Sequence, residues 1–89
     1  MKVLKNGGNG TLQEIGNIVK KTKGTFKSTG SDQAITHGHG TDWTNLEIEY
    51  FEIDSGVTFS GFSQNAGEDH FHITASPTDK TIGWIAESW

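Results

Sequence analysis

The chain has no cysteine and no arginine, and only one proline in 89 residues. The missing cysteine excludes disulfides, thiolate metal sites and cysteine catalysis, and it leaves the redox compartment open. Arginine is the usual bidentate reader of phosphate and of guanine edges. Its absence, together with a net charge of -4, argues against nucleic-acid binding. No apolar run approaches the roughly 18 to 20 residues that span a membrane. The opening "MKVLKNGGNG" lacks the apolar stretch of a signal peptide. The expectation is a soluble, cytoplasmic protein. Neither a "GxSxG" elbow nor a "GxxxxGKS" phosphate loop is present, so serine-triad and P-loop chemistry find no support.

A length of 89 residues allows one domain, 1–89, with one modest core. A small core leaves a small stability margin, which points to self-association or a protein partner. Charge is unevenly spread. Six of the seven basic residues, Lys2 to Lys27, lie in the first third, opposed there by Glu14 alone. From Ser28 onward ten acidic residues face Lys80. An acidic surface suits a cationic partner or a metal ion.

The pattern predicts an α+β fold. Thr11 and Glu14 read as a capping box. Leu12, Ile15, Val19 and Thr22 recur at helical spacing, which predicts one N-terminal helix over about 11–23. Lys20, Lys21 and Lys23 would then complement the helix dipole, and Gly24 would cap the C-terminus. A short strand around Gly24 to Lys27 leads into a long connection that ends near Asp42. Loops of that length are often functional.

From Trp43 onward the period is two. Strands are expected over about 44–53, in "VTFSGFS", in "HFHITAS" and in "TIGWIAESW", separated by "DSG", "QNAGED" and "PTDK". Short connections imply an antiparallel meander from about 44 to 88, four to five strands with the helix packed on one side. In the first of these strands Leu46, Ile48 and Tyr50 share a face before Phe51 and Ile53 take the other. That slip calls for a bulge, a bend or a strand covered on both sides. Trp84 alternates with Ile82 and Ala86 and so belongs to the core. Trp43 and Trp89 are candidate interface anchors.

The four histidines fall in two His-x-His pairs, His37/His39 and His70/His72. Alternation along the strand puts Phe71, Ile73 and Ala75 on an apolar face. His70, His72, Thr74 and Ser76 take the opposite one. Two imidazoles on one side of a strand can share an ion, and imidazole suits zinc or another divalent transition metal. His37, His39, His70 and His72 are therefore the candidate metal ligands, with Asp42, Glu68 and Asp69 near enough in sequence to ligate or to orient a ring.

A second chemistry is metal-free acid–base work on a phosphodiester, with His39 and His72 as acid and base and Thr74 contributing a hydroxyl. Phe71, His72, Ile73, Thr74 and Ala75 slightly resemble the apolar-His-apolar-Thr-apolar motif of the two-histidine phosphoesterases. In that family each motif brings a histidine and a hydroxyl to the phosphate. "GHGTD", Gly38 to Asp42, matches only at His39 and Thr41 and lacks the apolar flanks. The chain is also much shorter than that two-lobed fold. The remaining alternative is a non-enzymatic interaction module, an inhibitor or an assembly subunit, that works through its surface alone.

Overall fold

The computed structural model describes residues 3–5 and 20–89. Between residues 20 and 89 the chain forms six strands: β2 (Lys20–Lys27), β3 (Asp32–Thr36), β4 (Leu46–Glu52), β5 (Thr58–Gln64), β6 (His70–Ser76) and β7 (Thr81–Ser88). A short β1 (Val3–Lys5) adds to the edge of β4. All pairings are antiparallel. One sheet runs β1-β4-β7-β2 and the other β3-β6-β5.

The fold is thus all-β among the described residues, not α+β. The expected helix over 11–23 lies mostly outside the described residues, and its last residues, Lys20 to Lys23, begin β2. Here a period of two wins. Thr22, Gly24 and Phe26 turn partly inward while Lys21, Lys23, Thr25 and Lys27 face solvent. Only Phe26 among the inward residues is strongly apolar, so the alternation is faint in the sequence. The lysines decorate an edge strand, where charge discourages pairing with another sheet.

The meander is corrected as well. Only β5 and β6 pair as sequence neighbours within 44–88. The turn after β4 carries the chain to the second sheet, and the turn after β6 carries it back, so that β7 lies beside β4. Two sheets, each apolar on one face, bury those faces against each other. Leu46, Ile48, Tyr50, Trp84 and Ala86 come from one sheet and Phe71 and Ile73 from the other, with Phe59 and Phe62 packed against them. Tyr50 stacks on Phe62 with ring centroids 5.1 Å apart, and Phe71 meets Trp84 edge-on at 5.6 Å.

The phase slip expected in β4 is met without a bulge in that strand. The β4–β7 register runs without interruption from Leu46↔Ser88 to Glu52↔Ile82, so β4 has no bulge. Instead Phe51 covers the opposite face, its ring lying over Gly83 where a Cβ would stand. The bulge belongs to β5, between Phe59 and Gly61. Phe59 and Phe62 are three apart and would face opposite ways in a regular strand. The extra residue turns both toward the core.

The expected long connection over 24–42 contains β3, which pairs with β6 along its whole length. Ile35 is its only large apolar residue, which explains why it is hard to see in the sequence. Buried Ser28 closes the end of the sandwich. Its backbone N–H donates to the Lys80 carbonyl, its hydroxyl donates to the Pro77 carbonyl, and its own carbonyl accepts from the Asp79 N–H. Among the described residues no helix is long and apolar enough to cross a membrane.

Candidate functional site

β6 lies at the centre of the three-stranded sheet. Phe71, Ile73 and Ala75 are fully buried, while His70, His72, Thr74 and Ser76 are half-buried on the outer face. The expected two-faced strand is present. His70 and His72 project together, with ring centroids 4.9 Å apart and planes nearly perpendicular. Thr36 of β3 pairs with His70, Ala34 and Ser63 flank His72, and Asp32 and Gly61 flank Thr74. These strand partners all have short side chains.

Glu68 completes the group. It sits in the connection before β6, and its Oε1 lies 3.6 Å from His70 Nε2. Asn65 Nδ2 donates to the same oxygen at 3.2 Å, and the Glu68 N–H donates to the Asn65 carbonyl at 3.3 Å. Among the described residues, Glu68, His70 and His72 offer one ligand atom each within 4.8 Å of one another, a group that could hold a metal ion. Two donors on one tetrahedral zinc stand about 3.3 Å apart, as bonds of about 2.0–2.2 Å require.

Asp32 adds what the sequence did not announce. Its Oδ2 lies 3.0 Å from Nδ1 of His72. A carboxylate can only accept there, so Nδ1 carries a proton, and in the neutral ring Nε2 keeps its lone pair. This is the arrangement by which a carboxylate fixes the tautomer of a metal-binding imidazole. The two residues are forty positions apart, and only the β3–β6 register brings them together.

The other histidine pair is placed differently. His37 is 1 % exposed and His39 9 % exposed. His37 accepts the His39 N–H at Nδ1, 3.1 Å, which leaves Nε2–H to donate to the Glu68 carbonyl at 3.2 Å. The Thr22 hydroxyl donates its single proton to the His37 carbonyl at 2.6 Å. It must therefore accept from His39 Nε2–H, 2.9 Å away. His39 Nδ1 is then the acceptor for the Ser88 hydroxyl at 2.7 Å. All four ring nitrogens are engaged.

Burial lowers the pKa of His37, and it does so against the raising influence of nearby Asp69. Burial also lowers His39, helped by the neighbouring His37 ring. Both are therefore neutral near pH 7, and the 3.4 Å approach of Asp69 Oδ1 to His37 Nδ1 is no ion pair in that state. The Asp69 carboxylate instead accepts the Gly40 N–H at 2.8 Å.

The four candidate ligands thus form two separate groups. His70 and His72 join Glu68, whereas His37 and His39 bond to each other, to Thr22, to Ser88 and to the backbone of Glu68. His39 and His72, the candidate acid and base, share no partner: one is held by Thr22 and Ser88, the other by Asp32. Thr74 lies on the His72 face, and Asp42 is exposed. A concavity lined by Lys23, Phe51, Gly83 and Ile85 lies on the other sheet and contains none of the histidines.

No family model matches the chain, and comparison with curated proteins and with solved structures gives no match either. The reading of function therefore stands on the site.

Proposed function

We propose that the outer face of the three-stranded sheet binds a divalent transition metal, zinc or an ion of similar chemistry, through Glu68, His70 and His72. The observation that carries this reading is the convergence of two imidazoles and a carboxylate with a second carboxylate, Asp32, already holding one imidazole. Two nitrogens and one oxygen favour zinc, copper or nickel over calcium or magnesium, which take oxygen donors. Asp32 holds His72 with Nε2 free, and Asn65 steadies the Glu68 carboxylate. Three protein donors leave a coordination position for water or for a donor from a partner. The open face leaves that position accessible.

Titration of chelator-treated protein with zinc tests the reading. The expected result is one ion per chain, with uptake lost in His70→Ala and in His72→Ala. Uptake below about 0.1 ion per chain under conditions that keep imidazole neutral overturns it.

A further inference from the structure

Glu68 belongs to a connection, not a strand, so its carboxylate is placed only as firmly as residues 65–69 are held. Two side-chain donors converge on its backbone carbonyl: His37 Nε2 at 3.2 Å and Trp43 Nε1 at 3.1 Å. The next residue is gripped twice more. The His37 N–H donates to the Asp69 carbonyl at 3.0 Å, and the Gly40 N–H donates to the Asp69 carboxylate at 2.8 Å. Residues 37–43 thus hold the Glu68–Asp69 pair at four points.

Those residues are anchored in turn. His37 takes the His39 N–H, and the His39 ring spans Thr22 of β2 and Ser88 of β7. One hydrogen-bonded chain therefore runs from the four-stranded sheet, through both buried imidazoles, to the backbone of the connection that leads into β6 of the other sheet. Filling this space alone would need no polar atoms, since an apolar side chain of similar volume avoids the desolvation of two rings. A fully satisfied polar network instead specifies one geometry.

We infer that His37 is a positioning residue for the metal ligand Glu68, with Trp43 sharing its acceptor, so that the buried histidine pair sets the metal affinity of the half-buried outer pair. This inference rests on the metal reading of Glu68, His70 and His72. Groups that orient ligands from outside the coordination sphere change metal affinity by roughly 10- to 100-fold when removed.

Zinc affinity is to be measured by titration in the wild-type chain, in His37→Leu, His37→Gln, Trp43→Phe and Glu68→Ala, and in the pairs that combine Glu68→Ala with the first and third. His37→Leu is expected to weaken zinc roughly 10-fold. His37→Gln keeps most of the affinity, because its amide nitrogen stands near the place of Nε2 and donates to the same carbonyl. In the Glu68→Ala background neither His37→Leu nor Trp43→Phe costs anything further, because the ligand they position is gone. Should His37→Leu fail to fold, Trp43→Phe removes a donor from a half-buried position and carries the same comparison. Unchanged affinity in the single variants overturns the inference, as does an equal loss with and without Glu68. Zinc uptake by the wild type separates these results from failure of the metal reading, which would take the inference with it.

Discussion

Asp32 reaches across the β3–β6 ladder and accepts the Nδ1–H of His72 at 3.0 Å. In register Asp32 lies opposite Thr74, so the contact is diagonal, within reach on a pleated surface. The carboxylate is 64 % exposed, and an exposed pair of this kind contributes little to folding. Its effect should fall on the metal. Asp32→Ala is expected to leave thermal stability of the metal-free protein within about 1 kcal/mol. The same change should weaken zinc by roughly 10-fold, because the tautomer and the ring angle of His72 are then free. Calorimetric titration of both proteins gives the comparison, and equal affinities would remove Asp32 from the site.

Metal should also act on stability. An ion that binds only the folded chain stabilises it by about 2.7 kcal/mol at a free concentration one hundred times the Kd. For a domain of this size each kcal/mol moves Tm by about 4–8 °C, so zinc is expected to raise Tm by about 10–20 °C, reversed by chelator. Thermal denaturation followed by circular dichroism measures this. His72→Ala should show no zinc-dependent shift.

What could be read beforehand divides along physical lines. β4, β6 and β7 each carry three apolar residues at a period of two, at least two of them large, and all three strands appear where alternation puts them. The outward projection of His70 and His72 follows from the burial of Phe71 and Ile73. β2 and β3 carry one strongly apolar residue each, Phe26 and Ile35, and hide their period behind Thr, Gly and Gln. Without β3 there is no way to bring Asp32 to His72. Glu68 was visible as an acid next to the pair, but the role of His37 and His39 was not. A His-x-His spacing is the same for an exposed strand pair and for a buried hydrogen-bonded one, and only burial tells them apart. The crossing of the chain between sheets was equally hidden, since the turns "DSG" and "PTDK" fit a hairpin and a sheet change alike.

Stability should fall with acid through the buried pair. In the folded chain the pKa values of His37 and His39 lie below their ordinary value near 6.5, chiefly because of burial. As pH falls below about 6.5 the unfolded chain takes up protons that the folded chain does not, so the folded state loses ground. The contribution is complete above the unfolded value and is lost below it, by at most about 1.4 kcal/mol per pH unit for each ring. Urea denaturation in chelator at pH 7.5, 6.0 and 5.0 is expected to give successively lower stabilities. His39→Phe should flatten the dependence. A pH-independent stability between 7.5 and 5.0 would mean that the rings accept protons in place.

Gly24 faces Trp84 across the β2–β7 ladder, and a Cβ added there would stand 2.8 Å from the indole Cζ2. Two effects compete in Gly24→Val. A β-branched residue in a strand gains up to about 1 kcal/mol over glycine. Overpacking against a ring that is itself wedged in the core costs about 1–3 kcal/mol. Trp84 is 6 % exposed and meets Phe71 edge-on, so it has little room to withdraw. The clash wins, and Gly24→Val is expected to destabilise the protein by about 1–2 kcal/mol. Pairing it with Trp84→Leu tests the cause. Trp84→Leu alone should be costly for lost packing, yet Gly24→Val should then be neutral or favourable in its background. A double-mutant cycle by urea denaturation reads this coupling, and additive costs would show that the indole is not what excludes a side chain at position 24.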